Sequence, residues 1–261
     1  MSNSKKLKVM RKKNFVLVAM LFAALSFGFV SCDNKGNEPD DPQGEQTEQG
    51  GSTENNGGGE ETPTPEPADP YNGHAYVDLG LPSGLKWATC NVGATKPEEY
   101  GNYFAWGEVA SKEKYDWSTY FDTTDGGTTF LKYNNEGGKT TLDPEDDAAT
   151  VNMGGSWRMP TYDEQQELEK ECIWTWTSDY NAKGVAGYIV TSKTNGKSIF
   201  LPSCGYYVNA TLNLAGALGC YWSSSIGLNS REAYGFYFGS GSVTMYDDVR
   251  NCAQSVRGVI E

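Results

Sequence analysis

The chain has one histidine, His74, so a Ser-His-Asp relay would have to run through it, and no Gly-x-Ser-x-Gly elbow accompanies it. The simpler place for this imidazole is a strand edge or the surface. A histidine-rich metal site is excluded by count, and no Cys-x-x-Cys spacing offers paired thiolates to zinc. Asp122-Thr123-Thr124-Asp125-Gly126 lacks the alternating acidic ligands of a calcium loop and reads as a turn. Asp122-Thr123-Thr124 also fits a three-residue O-glycosylation pattern. Residues 71–261 hold 23 acids. Some carboxylates must therefore lie close together, yet no spacing singles out a pair for glycoside hydrolysis. No cofactor is expected.

What remains is chemistry for binding. The Gly- and Asn-rich stretch 204–221 bears Tyr206, Tyr207, Asn209 and Asn213, and Tyr246, Asp247 and Asp248 sit on another predicted turn. Aromatic faces beside amides and carboxylates suit a glycan or the polar rim of a protein partner. The competing reading has Tyr206 and Tyr207 packing their own loop. For Trp222 a core position is expected.

The elements that must position these residues are short. Segment 73–89 reads as two strands around a Gly-Leu-Pro-Ser-Gly turn, and 108–142 as an irregular surface excursion. Pro144 and the acids after it open a short helix. A second helix follows Pro160, with Thr161 and Glu164 as a capping box and Leu168 and Cys172 facing inward. From Trp174 onward the pattern is strands, with Asn195-Gly196 as a hairpin turn and a closing strand over 253–260. Strands, two short helices and an antiparallel meander predict an α+β domain. Trp157 is expected as a core plug, Arg158 as an internal hydrogen-bond donor, and Pro160-Thr161 as the helix start.

Composition divides the chain into three. Lys5, Lys6, Lys8, Arg11, Lys12 and Lys13 precede an apolar run over 15–30 that stops at Ser31-Cys32. That is a signal peptide over 1–31, and its end resembles the lipobox of a bacterial lipoprotein, with Cys32 as the acylated residue. Phe29-Val30-Ser31 departs from the usual Leu-Ala-Gly, which leaves an ordinary secretory peptide as the alternative. Residues 32–70 read as a disordered acidic tether; 33–70 hold eleven acids, one Lys and a single hydrophobic residue, Ala68. Such a tether reaches about 30–40 Å. Residues 71–261 form the head, which contains all seven Trp and all sixteen Tyr.

Removing the leader takes six cations from the chain's 21 Lys+Arg and leaves 15 against 34 acids, a net charge of −19. A polyanion excludes nucleic acid and anionic headgroups as electrostatic partners. Membrane attachment then rests on acyl chains in the lipid of the outer membrane. Of the five head cysteines, Cys90 and Cys172 read as buried thiols, and a bridge is expected among Cys204, Cys220 and Cys252.

Five stretches resemble the Fibrobacter-type major paralogous domain (FISUMP): YVDLGLPSGLKWATCNVGA at 76–94, YGNYFAWGE at 100–108, GGSWRMPT at 154–161, YWSSS at 221–225 and SVRGV at 255–259. The resemblance spans nearly the whole head. It implies a single C-type-lectin-like domain on a surface-exposed outer-membrane lipoprotein and names no activity. The Glu-Pro-Asn and Trp-Asn-Asp motifs of calcium-dependent lectins are absent from the head, so calcium-dependent sugar binding does not follow. Nor does the paired-cysteine copper site of formylglycine-generating enzymes map onto Cys204, Cys220 or Cys252. Three functions stand: a non-catalytic binding module for a glycan or protein, a structural or accessory subunit of a fimbria-like assembly, and a polysaccharide-processing enzyme.

Overall fold

The computed structural model describes residues 70–261. The leader over 1–31, Cys32 and all but the last residue of the 32–70 tether lie outside the described residues. The head is built from thirteen short strands and two helices. In chain order these are β1 (Tyr76–Asp78), β2 (Lys86–Ala88), β3 (Phe104–Ala105), α1 (Ala148–Met153), α2 (Tyr162–Glu171), β4 (Cys172–Thr177), β5 (Gly187–Ser192), β6 (Ser198–Pro202), β7 (Tyr206–Val208), β8 (Thr211–Asn213), β9 (Gly219–Ile226), β10 (Glu232–Gly239), β11 (Ser242–Val249), β12 (Ala253–Gln254) and β13 (Val259–Ile260). They form four small antiparallel sheets, ordered β1-β2-β13, β11-β10-β9, β3-β12-β7-β8 and β4-β5-β6.

The expected α+β, C-type-lectin-like class is therefore corrected: the fold is mostly β, at 37% strand and 11% helix. The helical signals are strong but brief. Asp147 caps α1, and Gly154, at φ 69°, ends it after six residues. Thr161 and Glu164 form both halves of a capping box on α2. That helix lasts only ten residues and gives way to β4 at Cys172, so Cys172 opens a strand and does not face inward from the helix. The buried positions of α2 are Gln165 and Leu168. Two elements this short plug gaps between sheets and build no helical layer.

Two apolar clusters fill the head. One gathers Leu79, Tyr103, Leu168, Tyr188, Phe236 and Phe238; the other gathers Trp106, Met153, Trp157, Trp222, Val256 and Ile260. Trp87 of β2 pairs with Val77 of β1 and Val259 of β13, so the first and last strands of the head share one sheet. Segment 108–142 is irregular but is no surface excursion, because Tyr115, Tyr120, Asp122 and Tyr133 within it are buried. All five head cysteines are free thiols, which corrects the expected bridge. The Cys204 thiol instead lies 3.8 Å from the Cys220 carbonyl. No helix among the described residues is long and apolar enough to cross a membrane.

Candidate functional site

Strand alternation decides which candidate residues meet. In the β7–β8 hairpin Tyr206 stands opposite Asn213, and Tyr207 opposite Leu212. Successive side chains leave a strand on opposite sides. Tyr207 accordingly turns to the core, with its ring 4.9 Å from that of Tyr103 and 5.8 Å from that of Tyr115. Tyr206 faces the other way and is half-buried. Asn209 occupies the hairpin turn at φ 53°, and its backbone is pinned to Tyr115 by two 2.9 Å hydrogen bonds. Its side chain is exposed.

Tyr246, Asp247 and Asp248 lie within β11, not on a turn. Alternation sends Asp247 to one face and Tyr246 and Asp248 to the other. Asp247 stands opposite Tyr234 and accepts a 3.4 Å bond from the Leu228 amide. On the other face, the Tyr237 hydroxyl donates to Asp248 Oδ2 at 2.8 Å, and its ring meets that of Tyr246 edge-on at 5.4 Å. Gln254 of β12, fully buried, donates through Nε2 to the Tyr237 hydroxyl and, at 3.5 Å, to Asp248.

Tyr206 and Asp248 are electrostatic neighbours across two sheets. Burial raises the Tyr206 pKa, and the Asp248 charge raises it further. Burial also raises Asp248, against the hydrogen bond from Tyr237. The folded chain thus joins Tyr246 and Asp248 through Tyr237 and Gln254, and pairs Tyr206 with Asn213 on a separate hairpin whose Tyr206 lies within the field of Asp248. Tyr246 is the open member, 51% exposed. The cluster offers aromatic edges, an amide and a carboxyl group to a polar ligand.

Trp157 is buried, donates Nε1 to the Tyr71 carbonyl at 3.1 Å, and lies against Tyr71, His74 and Tyr76. Arg158 grips Glu164 through two 2.7 Å bonds, tying the loop to the start of α2. The Pro160 carbonyl accepts from Ser224 N, and Thr161 caps the helix. Trp222 is fully buried with Nε1 on the Phe104 carbonyl. His74 stands edge-on to Trp157.

Asp163, Glu167 and Glu171 line a groove of about 340 Å³ along α2, together with Lys170. Asp143, Glu145 and Asp146 form a cradle, but the Lys132 ammonium fills it at 2.8, 2.9 and 2.6 Å. The protein supplies its own cation there. Glu232 is raised by burial and by its neighbour Asp247, and Asn229 holds its carboxyl group.

Two buried arginines went unread in the sequence. Arg257 spreads its guanidinium over Asn91 Oδ1 and the carbonyls of Ala88 and Phe200. Arg250 sits in a box of Trp106, Tyr120 and Phe130 beside Asp122 at 3.4 Å. The aromatic residues of segment 108–142, Tyr115, Trp117, Tyr120, Phe121, Phe130 and Tyr133, are too many for a solvated loop and were the available signal.

Residues 163–259 match the model of a family described as a domain of unknown function, DUF8237. The chain is similar to that family from the first turn of α2 into β13, a span that includes the whole candidate surface and names no activity. No curated protein and no solved structure matches the chain.

Proposed function

We propose that the chain is an outer-membrane lipoprotein, anchored through Cys32 and displayed at the cell surface, whose head binds a glycan or a protein without catalysis. One observation carries the binding reading: half-exposed Tyr246 stands with Asp248 and Tyr237 on one face of β11, and the Asp248 charge reaches Tyr206 on the β7–β8 hairpin. Two stretches that sequence reasoning offered separately thus come within electrostatic reach of each other. The anchor reading rests on the basic leader, the short apolar run and Ser31-Cys32, and the FISUMP resemblance supports the same address.

The test is a glycan array and an envelope pull-down with the purified full chain, alongside Tyr206→Ala and Tyr246→Ala. Loss of about fivefold or more in affinity is expected for Tyr246→Ala, as for a contact worth ~1 kcal/mol. Absence of any ligand at millimolar concentration, or two silent variants, overturns the reading. For the anchor, incorporation of labelled palmitate that Cys32→Ser abolishes is the expected result.

A second reading, a subunit of a fimbria-like assembly, is favoured by β11. This eight-residue strand ends its sheet, and among the described residues its outer edge pairs with no other strand. An open edge is a template for strand addition. Stoichiometric partners co-purified from the envelope and lost on introducing Thr244→Pro would support it.

A further inference from the structure

A groove of about 480 Å³ opens between segment 127–136 and the turn that precedes β10. Its lining includes Phe130, Asn135, Leu228, Ser230 and Arg231. Arg231 makes no ion pair among the described residues, yet it is held in place. Its guanidinium lies 4.3 Å over the Trp117 ring, and Nη1 donates to the Gly127 carbonyl. Nε and Nη2 have no protein acceptor among the described residues. A guanidinium so oriented presents a fork that matches a carboxylate and loses little freedom on binding it.

A second guanidinium lies behind the same wall. Phe130 covers Arg250 at 4.0 Å, and Trp117 meets Phe130 edge-on at 5.8 Å. Arg250 is 0% exposed, and its Nε and Nη2 have no hydrogen-bond partner among the described residues. Its one carboxylate, Asp122, also accepts from the Lys132 and Tyr133 amides. Two rings, Trp117 and Phe130, therefore stand between two cations, Arg231 at the groove and Arg250 buried behind it. The acids nearby are Glu136, which lines the groove, and Glu232 and Asp247, which are engaged by Asn229 and the Leu228 amide.

The rest of the lining suits a ring bearing hydroxyls. Leu228 is 77% exposed and with Phe130 offers an apolar face. Asn135 donates its amide to Ser230 Oγ and its Nδ2 to the Gly227 carbonyl. That leaves Asn135 Oδ1 and the Ser230 hydroxyl hydrogen for a ligand. The volume falls within the range of small-molecule sites.

We propose that this groove binds the carboxylate-bearing residue of an acidic glycan, its carboxylate on Arg231, its C–H face on Leu228 and Phe130, and its hydroxyls on Asn135 and Ser230. The proposal rests on the binding-module reading for its ligand class but uses none of Tyr206, Asn213, Tyr246 or Asp248. Titration of the purified full chain with glucuronate, glucose and inorganic phosphate tests it. Glucuronate is expected to bind at least about tenfold more tightly than glucose, the value of one charge-assisted contact. Arg231→Gln erases that preference, Arg231→Lys keeps part of it, and Leu228→Ser weakens glucuronate with the melting temperature unchanged.

Tyr246→Ala leaves glucuronate binding as it was. Equal affinity for the two sugars, a preference that survives Arg231→Gln, phosphate binding as tight as glucuronate, or no glucuronate binding at all overturns the proposal. If array glycans bind through Tyr246 while glucuronate fails, this proposal falls alone. If both fail, the binding-module reading falls with it.

Discussion

Arg158 and Glu164 meet through two parallel hydrogen bonds of 2.7 Å, and Glu164 also accepts from the Thr161 amide at 2.8 Å. One carboxylate thus closes the capping box and holds the loop from Trp157 to Pro160. Burial by itself would raise the Glu164 pKa, but the bonds from Arg158 and Thr161 outweigh it and hold the value below the usual range. A lowered acid stabilises the fold above its unfolded pKa, and that contribution disappears as pH falls through the folded value. Glu164→Gln, which keeps the cap, should cost about 1 kcal/mol at pH 7 and nothing once the wild-type acid is protonated. Urea titrations of both proteins from pH 7 downward check this.

Asp147 makes a comparable junction at α1. Its carboxylate accepts from Thr150 N at 2.9 Å and from Met159 N at 2.8 Å. Asp147→Ala removes a helix cap and orphans a buried amide, for a combined loss of about 2–4 kcal/mol in urea unfolding. Asp147→Asn, still a good cap, should lose less.

Asp248 has the opposite pH sign. Burial raises its pKa, so the folded protein binds a proton that the unfolded chain releases. Its contribution is present below the unfolded value and is lost as pH rises through the folded one. Asp248→Asn should remove that loss and raise the melting temperature at pH 7 by about 2–4 °C, measured by calorimetry at pH 4 and pH 7.

Arg250 and Asp122 are both fully buried. Removing one partner strands the other, so Asp122→Ala should cost about 3–5 kcal/mol. Arg250→Met, which keeps volume among Trp106, Tyr120 and Phe130, should cost distinctly less. Equal losses would mean that the ring box, not the charge pair, sets the stability of this corner.

Burial pushes the Cys172 thiol up to about 11 and the Cys252 thiol up to about 12, and raises Cys204 and Cys220 as well. Cys90 alone among the five is partly exposed. In the full chain carrying Cys32→Ser, alkylation at pH 8 should label Cys90 quickly and the other four only after denaturation, as mass spectrometry would count. Fewer than five reactive thiols in denaturant would restore the disulfide expectation.

Local chemistry was legible where a few adjacent residues suffice. The Thr161–Glu164 box, the Asn195-Gly196 hairpin and the buried Trp157 and Trp222 each follow from neighbours in the chain or from sheer apolar size. The α+β class failed because helix signals tell where a helix starts, not how little of the fold it builds. Segment 108–142 misled for the opposite reason. Its polar residues suggest a solvated loop, while its tyrosines reach the core and its Asp122 meets Arg250, more than a hundred residues away.

From the amino acids alone come the acidic charge, the basic and then apolar N-terminal stretch before Cys32, the single histidine and the aromatic composition of residues 71–261, since these depend on composition and order. Tertiary structure decided which side chains share a surface. Tyr246 and Asp248 part from Asp247 because a strand alternates its faces, and Gln254 of another sheet meets Asp248 and Tyr237 there. The groove under Arg231 likewise exists only because Trp117, Gly127 and Phe130 fold back against the turn before β10. Contacts of that range depend on the packing of the whole head, which no local run of residues encodes.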